Sequence, residues 1–123
     1  MRIIPTKVHG VIDYTWGALL MASPWLFNYA RNEEETVVAV AMGAGSIAYS
    51  LVTDYEMGAV PMLSMRTHLL IDGAAGLLLA ASPWLLRFDD FVRAPHVAFG
   101  LLAVVTASLT ETRARRRQLP ARA

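Results

Sequence analysis

Cysteine is absent from the 123-residue chain, and charged residues are scarce. The absence of cysteine excludes disulfide bonds, thiolate metal sites and a cysteine nucleophile, and it leaves the redox compartment undetermined. Charged residues make up 17% of the chain, against about 25% in ordinary soluble domains, while hydrophobic residues reach 55%. The net charge of +1 does not indicate a nucleic-acid partner, because the basic residues concentrate in the C-terminal tail and are not interleaved with aromatic residues.

Sequence motifs of soluble active sites are also missing. The chain has no Gly-rich phosphate loop, no Gly-x-Ser-x-Gly elbow and no His-Glu-x-x-His motif. The segments between its apolar runs are short, at about 31–35, 54–66 and 87–93, and none is long enough to form an active site of its own. We therefore expect no enzymatic activity, no catalytic residue and no cofactor.

Four apolar segments come close to the length needed to cross a bilayer. A hydrocarbon core about 30 Å thick requires about 20 mostly apolar residues per helix, at a rise of about 1.5 Å per residue. The segments 7–29 and 67–86 each contain one acidic residue, whereas 36–53 and 94–110 contain no charged residue. A water-soluble bundle would leave about half of each helix polar. The sequence therefore predicts an all-α, four-transmembrane-helix bundle surrounded by lipid.

The first and third apolar segments are variants of one pattern. HGVIDYTWGALLMASPWLFNY at 9–29 matches HLLIDGAAGLLLAASPWLLRF at 68–88, with matched residues 59 positions apart. The second and fourth segments align at an offset of 57, where VAMG at 40–43 matches VAFG at 97–100. Because each unit contains two spans, both units should have the same orientation in the membrane, which is the parallel type of repeat.

This duplication predicts the domain organisation. We expect a single membrane domain over 1–123, built from two tandem two-helix repeats at about 8–56 and 67–113 and followed by a basic tail at 113–123.

Two copies of Ser-Pro-Trp, each late in the first helix of its unit, make the chain similar to the SPW-repeat family of small bacterial membrane proteins. The resemblance covers most of the chain. It implies a membrane location and a two-helix repeat, and it brings no established activity or catalytic residues.

The Ser-Pro-Trp motifs are predicted to lie at the outer membrane interface. Proline lacks an amide hydrogen and disfavours helix at the preceding residue, so each motif should bend or end its span. Tryptophan then falls in the aromatic belt, and interfacial anchoring is favoured over stacking on a substrate. We expect the same interfacial location for His96. The predicted motif residues are Ser23, Pro24, Trp25, Ser82, Pro83 and Trp84.

The distribution of basic residues predicts the orientation, because positive residues mark the cytoplasmic side. Three basic residues lie on one side, namely Arg31, Arg87 and Arg93. Eight lie on the other: Arg2, Lys7, Arg66, Arg113, Arg115, Arg116, Arg117 and Arg122. We expect a multi-pass protein of the inner membrane with both termini in the cytoplasm, and a tail that lies against anionic headgroups.

Ionisable residues inside the predicted spans are the candidate functional group. His-x-x-x-Asp-x-x-x-Gly occurs in the first and third segments, and spacing of four places its residues on one helical face. The returning helices end at the same side of the bundle with an acidic residue each. We predict an intramembrane polar cluster near the cytoplasmic end, formed by His9, Asp13, His68, Asp72, Asp54 and Glu111.

Three interpretations of this cluster follow from the residue types. An ionisable group in a span costs about 2.5–3.5 kcal/mol on insertion scales, which favours a proton or cation path, or a metal site of imidazole and carboxylate ligands. The third interpretation is structural: hydrogen bonds among histidine, aspartate and threonine would fix the packing of the two hairpins, and a helix N-terminus stabilises a carboxylate anyway. We prefer the structural interpretation and assign no metal.

Together these patterns predict a small, non-enzymatic membrane protein. We expect its partners to be the lipid bilayer and either a second copy of the chain or another membrane protein. The alternative is a proton or cation pathway that uses the His-x-x-x-Asp pairs.

Overall fold

Four α-helices follow one another in the computed structural model, which describes residues 1–31 and 33–113. The helices are α1 (Thr6–Leu26), α2 (Glu34–Leu51), α3 (Met65–Leu85) and α4 (Ala94–Leu109). Within these described ranges no strand is present, and β-pairing is limited to two isolated bridges. The prediction of an all-α fold is confirmed.

Helices α1 and α3 end in the same way. Pro24 and Pro83 lie inside the last turn of these helices, and each helix continues for two more residues. Asn28 and Arg87 then adopt left-handed backbone conformations, with φ of 58° and 60°. In both cases the next amide donates to the proline carbonyl at 2.8 Å. These hydrogen bonds form a Schellman C-cap, so the helix stops shortly after each Ser-Pro-Trp motif.

The helices pack as two hairpins, α1 along α2 and α3 along α4. Glycine pairs mark the closest approach within each hairpin. A Cβ atom added to Gly43 would lie 2.6 Å from the carbonyl oxygen of Gly17, and one added to Gly100 would clash with the carbonyl oxygen of Gly76. Glycine at these positions lets the backbones touch, which is how helices pack without a hydrophobic driving force.

Two short backbone contacts connect one hairpin to the other. Ile4, which precedes α1, pairs with Thr110 at the end of α4, and Leu63, which precedes α3, pairs with Thr53 at the end of α2. The amide of Ile4 donates to the Leu109 carbonyl at 2.8 Å, for example. The starts of α1 and α3 and the ends of α2 and α4 therefore meet at one end of the bundle.

Burial is distributed in the opposite way to a water-soluble bundle. Across 1–31 and 33–113, fourteen buried residues are polar or charged and nine are hydrophobic. The exposed surface carries large hydrophobic side chains such as Leu70, Leu78 and Val105, which are 73%, 60% and 53% exposed. In a soluble bundle the apolar stripe faces inward and the polar face outward.

Length and composition single out one helix as a membrane span. Among the described helices, α3 is long and apolar enough to cross a bilayer, and α4 is apolar but has only 16 residues. Sixteen residues extend about 24 Å, which is shorter than a typical hydrocarbon core. Charged and polar residues at the start of α1, and Glu34 and Glu35 at the start of α2, lower the hydropathy of those helices. Helix length and composition therefore identify one candidate span among the described helices, and the four-span arrangement remains a prediction.

Candidate functional site

Four ionisable side chains converge where the two hairpins meet. His9 and Asp13 come from α1, His68 and Asp72 come from α3, and each residue is at most 6% exposed. One ligand-type atom of each lies within 4.8 Å of those of the other three. The spacing of four puts histidine and aspartate on one face of each helix. The side chains from α1 and α3 meet between the two hairpins.

Each imidazole faces both carboxylates. Nε2 of His9 lies 2.9 Å from an oxygen of Asp13 and 2.9 Å from an oxygen of Asp72. Nε2 of His68 lies 3.0 Å from an oxygen of Asp13 and 3.2 Å from an oxygen of Asp72. The two rings are nearly perpendicular, with their centroids 5.4 Å apart. Each aspartate therefore interacts with the histidine of its own helix and with the histidine of the other hairpin.

Threonine hydroxyls fix the other nitrogen of each imidazole. Nδ1 of His9 is 2.7 Å from Oγ1 of Thr110, and Nδ1 of His68 is 2.7 Å from Oγ1 of Thr53. Each threonine hydroxyl donates to the carbonyl four residues earlier at 2.6 Å. A hydroxyl has a single hydrogen, so toward histidine each threonine oxygen acts as an acceptor. Both imidazoles therefore carry a hydrogen on Nδ1.

Two tyrosines donate to the carboxylates. The Tyr49 hydroxyl of α2 donates to Oδ1 of Asp72, and the Tyr55 hydroxyl, in the connection between α2 and α3, donates to Oδ2 of Asp13 at 2.7 Å. Burial raises the pKa of the Tyr55 phenol, which keeps this hydroxyl protonated. Each aspartate thus accepts a hydrogen bond from a tyrosine in addition to its contacts with the two histidines.

The structure brings together four of the six residues predicted for the cluster. Asp54 and Glu111 are not among the residues whose imidazole and carboxylate atoms converge. Each directly follows the threonine that contacts a histidine. The prediction therefore named the correct helix ends but missed the contacting residue by one position. Thr53 and Thr110 were detectable, because they align at the offset of 57. Tyr55 lies in a connecting segment whose path no sequence pattern indicated.

A cavity of about 150 Å³ borders the cluster. Asp13 and Asp72 lie in its wall, and it extends along the bundle to Gly45, which is exposed on α2. Beyond it, Leu20 and Leu79 are fully buried and belong to an apolar layer that fills the interior. The ionisable side chains therefore border a cavity whose other walls are mostly apolar, and the buried leucines lie in a separate apolar layer.

The Ser-Pro-Trp motifs divide between the interior and the surface. Both serines are buried, and each donates to the carbonyl three residues earlier at 2.7 Å. Both prolines are buried as well. Trp25 and Trp84 lie on the outside of the bundle, 63% and 51% exposed. Their exposure agrees with anchoring at an interface and leaves them outside any enclosed binding site.

His96 lies inside the protein, at the end of the bundle opposite the His–Asp cluster. It is fully buried, and its Nε2 donates to the backbone carbonyl of Glu35 at 2.9 Å. Its ring packs between Tyr29 and Phe88, which follow the two Schellman caps. No sequence pattern indicated this burial, because the residue aligned with His96 in the first unit is an alanine.

Comparison with known protein families matches this chain to one described as the SPW repeat domain, over residues 7–110. The matched region contains both histidines and both aspartates of the cluster. No curated protein and no solved structure matches the chain significantly.

Proposed function

The chain belongs to the SPW repeat domain family, and from this membership we propose that it is an integral membrane protein of four spans without enzymatic activity. In this proposal the protein acts in the inner membrane through association with itself or with other membrane components. The observation that carries the proposal is the polar interior enclosed by an apolar surface.

Exposed apolar side chains support a lipid environment. Twenty-two large hydrophobic residues of the described ranges are exposed, and they extend over all four helices. Monomeric soluble proteins rarely expose contiguous apolar patches above a few hundred Å². In a bilayer the same surface is solvated by lipid, while the small and polar side chains inside allow close helix packing.

Helix lengths are compatible with four spans. Helices α1 and α3 have 21 residues each, or about 31 Å, which matches the thickness of a hydrocarbon core. Helices α2 and α4, with 18 and 16 residues, are shorter by a few ångströms, which a locally thinner bilayer accommodates at modest cost. Because α3 packs along α4 as α1 packs along α2, a membrane around α3 would include its neighbours.

Charge supports an orientation with both termini in the cytoplasm. The end of the bundle that contains the His–Asp cluster has Arg2, Lys7, Arg66 and Arg113, and the opposite end has Arg31, Arg87 and Arg93. With the basic residues of the tail, the sequence places eight basic residues against three, and such an excess marks the cytoplasmic side. Most of the predicted basic tail, 114–123, lies outside the described residues.

The backbone contacts support a tandem arrangement of two equivalent units. The pairing of Ile4 with Thr110 and that of Leu63 with Thr53 join equivalent positions, at the offsets of 59 and 57 found in the sequence. Each pairing links the start of one unit to the end of the other. In the proposal the His–Asp cluster holds the two hairpins together through the contacts of each histidine with the aspartate of the other hairpin.

A proton or cation pathway is the second candidate function, and the cavity beside the cluster is the observation that favours it. The apolar layer around Leu20 and Leu79 weighs against it, because a path across the membrane needs polar groups or water beyond the middle of the bundle. Closure by leucine therefore favours a role without conduction.

Labelling of single cysteines tests the proposed topology, and the natural absence of cysteine gives a clean background. A membrane-impermeant maleimide applied to intact spheroplasts should label Asp90→Cys and leave Met62→Cys unlabelled until the membrane is permeabilised. Leu78→Cys, on the proposed lipid-facing surface, is the control and should resist the polar reagent in both conditions. Equal labelling of all three positions would contradict the proposed topology. Disulfide cross-linking between copies at Leu77→Cys would report self-association.

A further inference from the structure

The geometry points to a binding site for one divalent transition-metal ion of the zinc class at the centre of the cluster. We propose that its ligands are Nε2 of His9, Nε2 of His68 and one carboxylate oxygen each from Asp13 and Asp72. The proposal does not depend on the number of membrane spans or on the absence of conduction, because it rests on the arrangement of these four side chains.

The separations between ligand atoms fit a tetrahedral ion. With metal–ligand bonds of about 2.0–2.1 Å, neighbouring ligands of a tetrahedral zinc ion lie about 3.3–3.4 Å apart. The nitrogen–oxygen separations in the cluster are 2.9 Å and 3.2 Å to one oxygen of Asp72, and 2.9 Å and 3.0 Å to the two different oxygens of Asp13. One nitrogen or oxygen atom of each residue lies within 4.8 Å of those of the other three, so rotation of the side chains would place four ligand atoms around a common centre.

The orientation of His68 adds independent evidence. Its side chain is fully buried, and its Nε2 has no aligned hydrogen-bond partner although two carboxylates lie within 3.2 Å. A buried ring nitrogen without a hydrogen-bond partner is energetically unfavourable, and such atoms are rare in proteins. The lone pair of this nitrogen, directed into the space among the four residues, is available to a cation there.

Charge and hydrogen placement also favour a dication. The ion-pair partners of both aspartates, within the described ranges, are the two histidines. Because Nδ1 of each ring carries a hydrogen, a neutral ring would turn the Nε2 lone pair toward carboxylate oxygens, which is repulsive. Two additional protons or one divalent ion would remove this repulsion and balance the two negative charges. A divalent ion does so while using all four facing atoms as ligands.

The surrounding hydrogen bonds match the support that metal ligands require. Metal-bound histidines usually donate their second ring hydrogen to an oxygen, and bound carboxylates are themselves hydrogen-bonded. Thr110 and Thr53 accept from the two histidines, while Tyr49 and Tyr55 donate to the two aspartates. Four protein ligands leave no open coordination position, so the site is of the structural type and would fasten α1 to α3.

Metal titration of the full-length protein in detergent tests the proposal. After removal of metals with a chelator, the protein should bind one Zn²⁺ per chain, and Co²⁺ should give the strong visible absorption of a tetrahedral complex. Asp72→Asn and His68→Gln should weaken Zn²⁺ binding by at least about 100-fold. Thr53→Val, which removes the hydroxyl that accepts from His68 and leaves all four ligands in place, should weaken it about 10–100-fold.

The double variant Glu33→Gln/Glu34→Gln is the matched control, because it alters an acidic group away from the cluster and should leave the affinity unchanged. Circular dichroism and gel filtration identify variants that fail to fold. If the ligand variants do not fold, Thr53→Val and the Co²⁺ spectrum of the wild type still test the proposal. A folded wild-type protein that binds neither Zn²⁺ nor Co²⁺ would overturn the proposal. Binding that persists in Asp13→Asn/Asp72→Asn would overturn it as well.

Discussion

Replacement of Asp72 by alanine is expected to lower the free energy of unfolding by about 3–5 kcal/mol, the range for breaking a buried ion pair from one side. The substitution removes the shared partner of His9 and His68 and leaves the Tyr49 hydroxyl without its acceptor. Unfolding of the purified protein in mixed micelles, followed by far-ultraviolet circular dichroism, measures the change. Asp90→Ala, at an exposed acidic residue, should alter stability by less than about 0.5 kcal/mol. Equal stability of the two variants would show that the cluster does not join the hairpins.

The conservative substitutions at the same sites separate a structural joint from a conduction path. In proteoliposomes, Asp13→Asn and Asp72→Asn should leave proton and cation flux the same as in the wild type, because leucine closes the bundle beyond the cluster. Flux through the wild type that disappears in both variants would instead establish the pathway as the function.

Gly100→Ala is expected to destabilise the protein by about 1–3 kcal/mol, a typical cost of overpacking. The added Cβ would lie 2.6 Å from the backbone nitrogen of Ala80, which cannot move without separating α3 from α4. Gly73→Ala is the matched control on the partner helix, because no atom lies within 4 Å of its added Cβ. That control should be neutral or stabilising by up to about 1 kcal/mol, since alanine is the better helix former. Unfolding in the same micelles compares the two, and similar losses of stability would contradict the close packing at Gly100.

Sequence patterns predicted the helices more accurately than the contacts between them. The apolar run 67–86 became α3 at Met65–Leu85, and the run 94–110 became α4 at Ala94–Leu109. Apolar runs and local stop signals determine helix bounds within a few residues. The left-handed residue that ends α3 is Arg87. Glycine is the usual residue at this position of a Schellman turn, so the sequence did not indicate the turn.

The candidate site was predictable on one helix at a time. Spacing of four placed His9 beside Asp13, and the duplication implied the same for His68 and Asp72. The hydrogen bonds between the hairpins depend on the conformation of the segments that connect the helices, and sequence periodicity does not determine that conformation. Tyr55 is an example, because it reaches Asp13 from a connecting segment, 42 positions along the chain.

Extraction of the protein from membranes tests most directly whether lipid surrounds the bundle. Because leucine, valine and tryptophan cover the outside while histidine and aspartate lie within, the protein should remain in the membrane pellet after an alkaline wash and should dissolve only in detergent. Recovery of a monodisperse, folded monomer in aqueous buffer without detergent would contradict the membrane location. It would also remove the basis for the four spans and for their orientation.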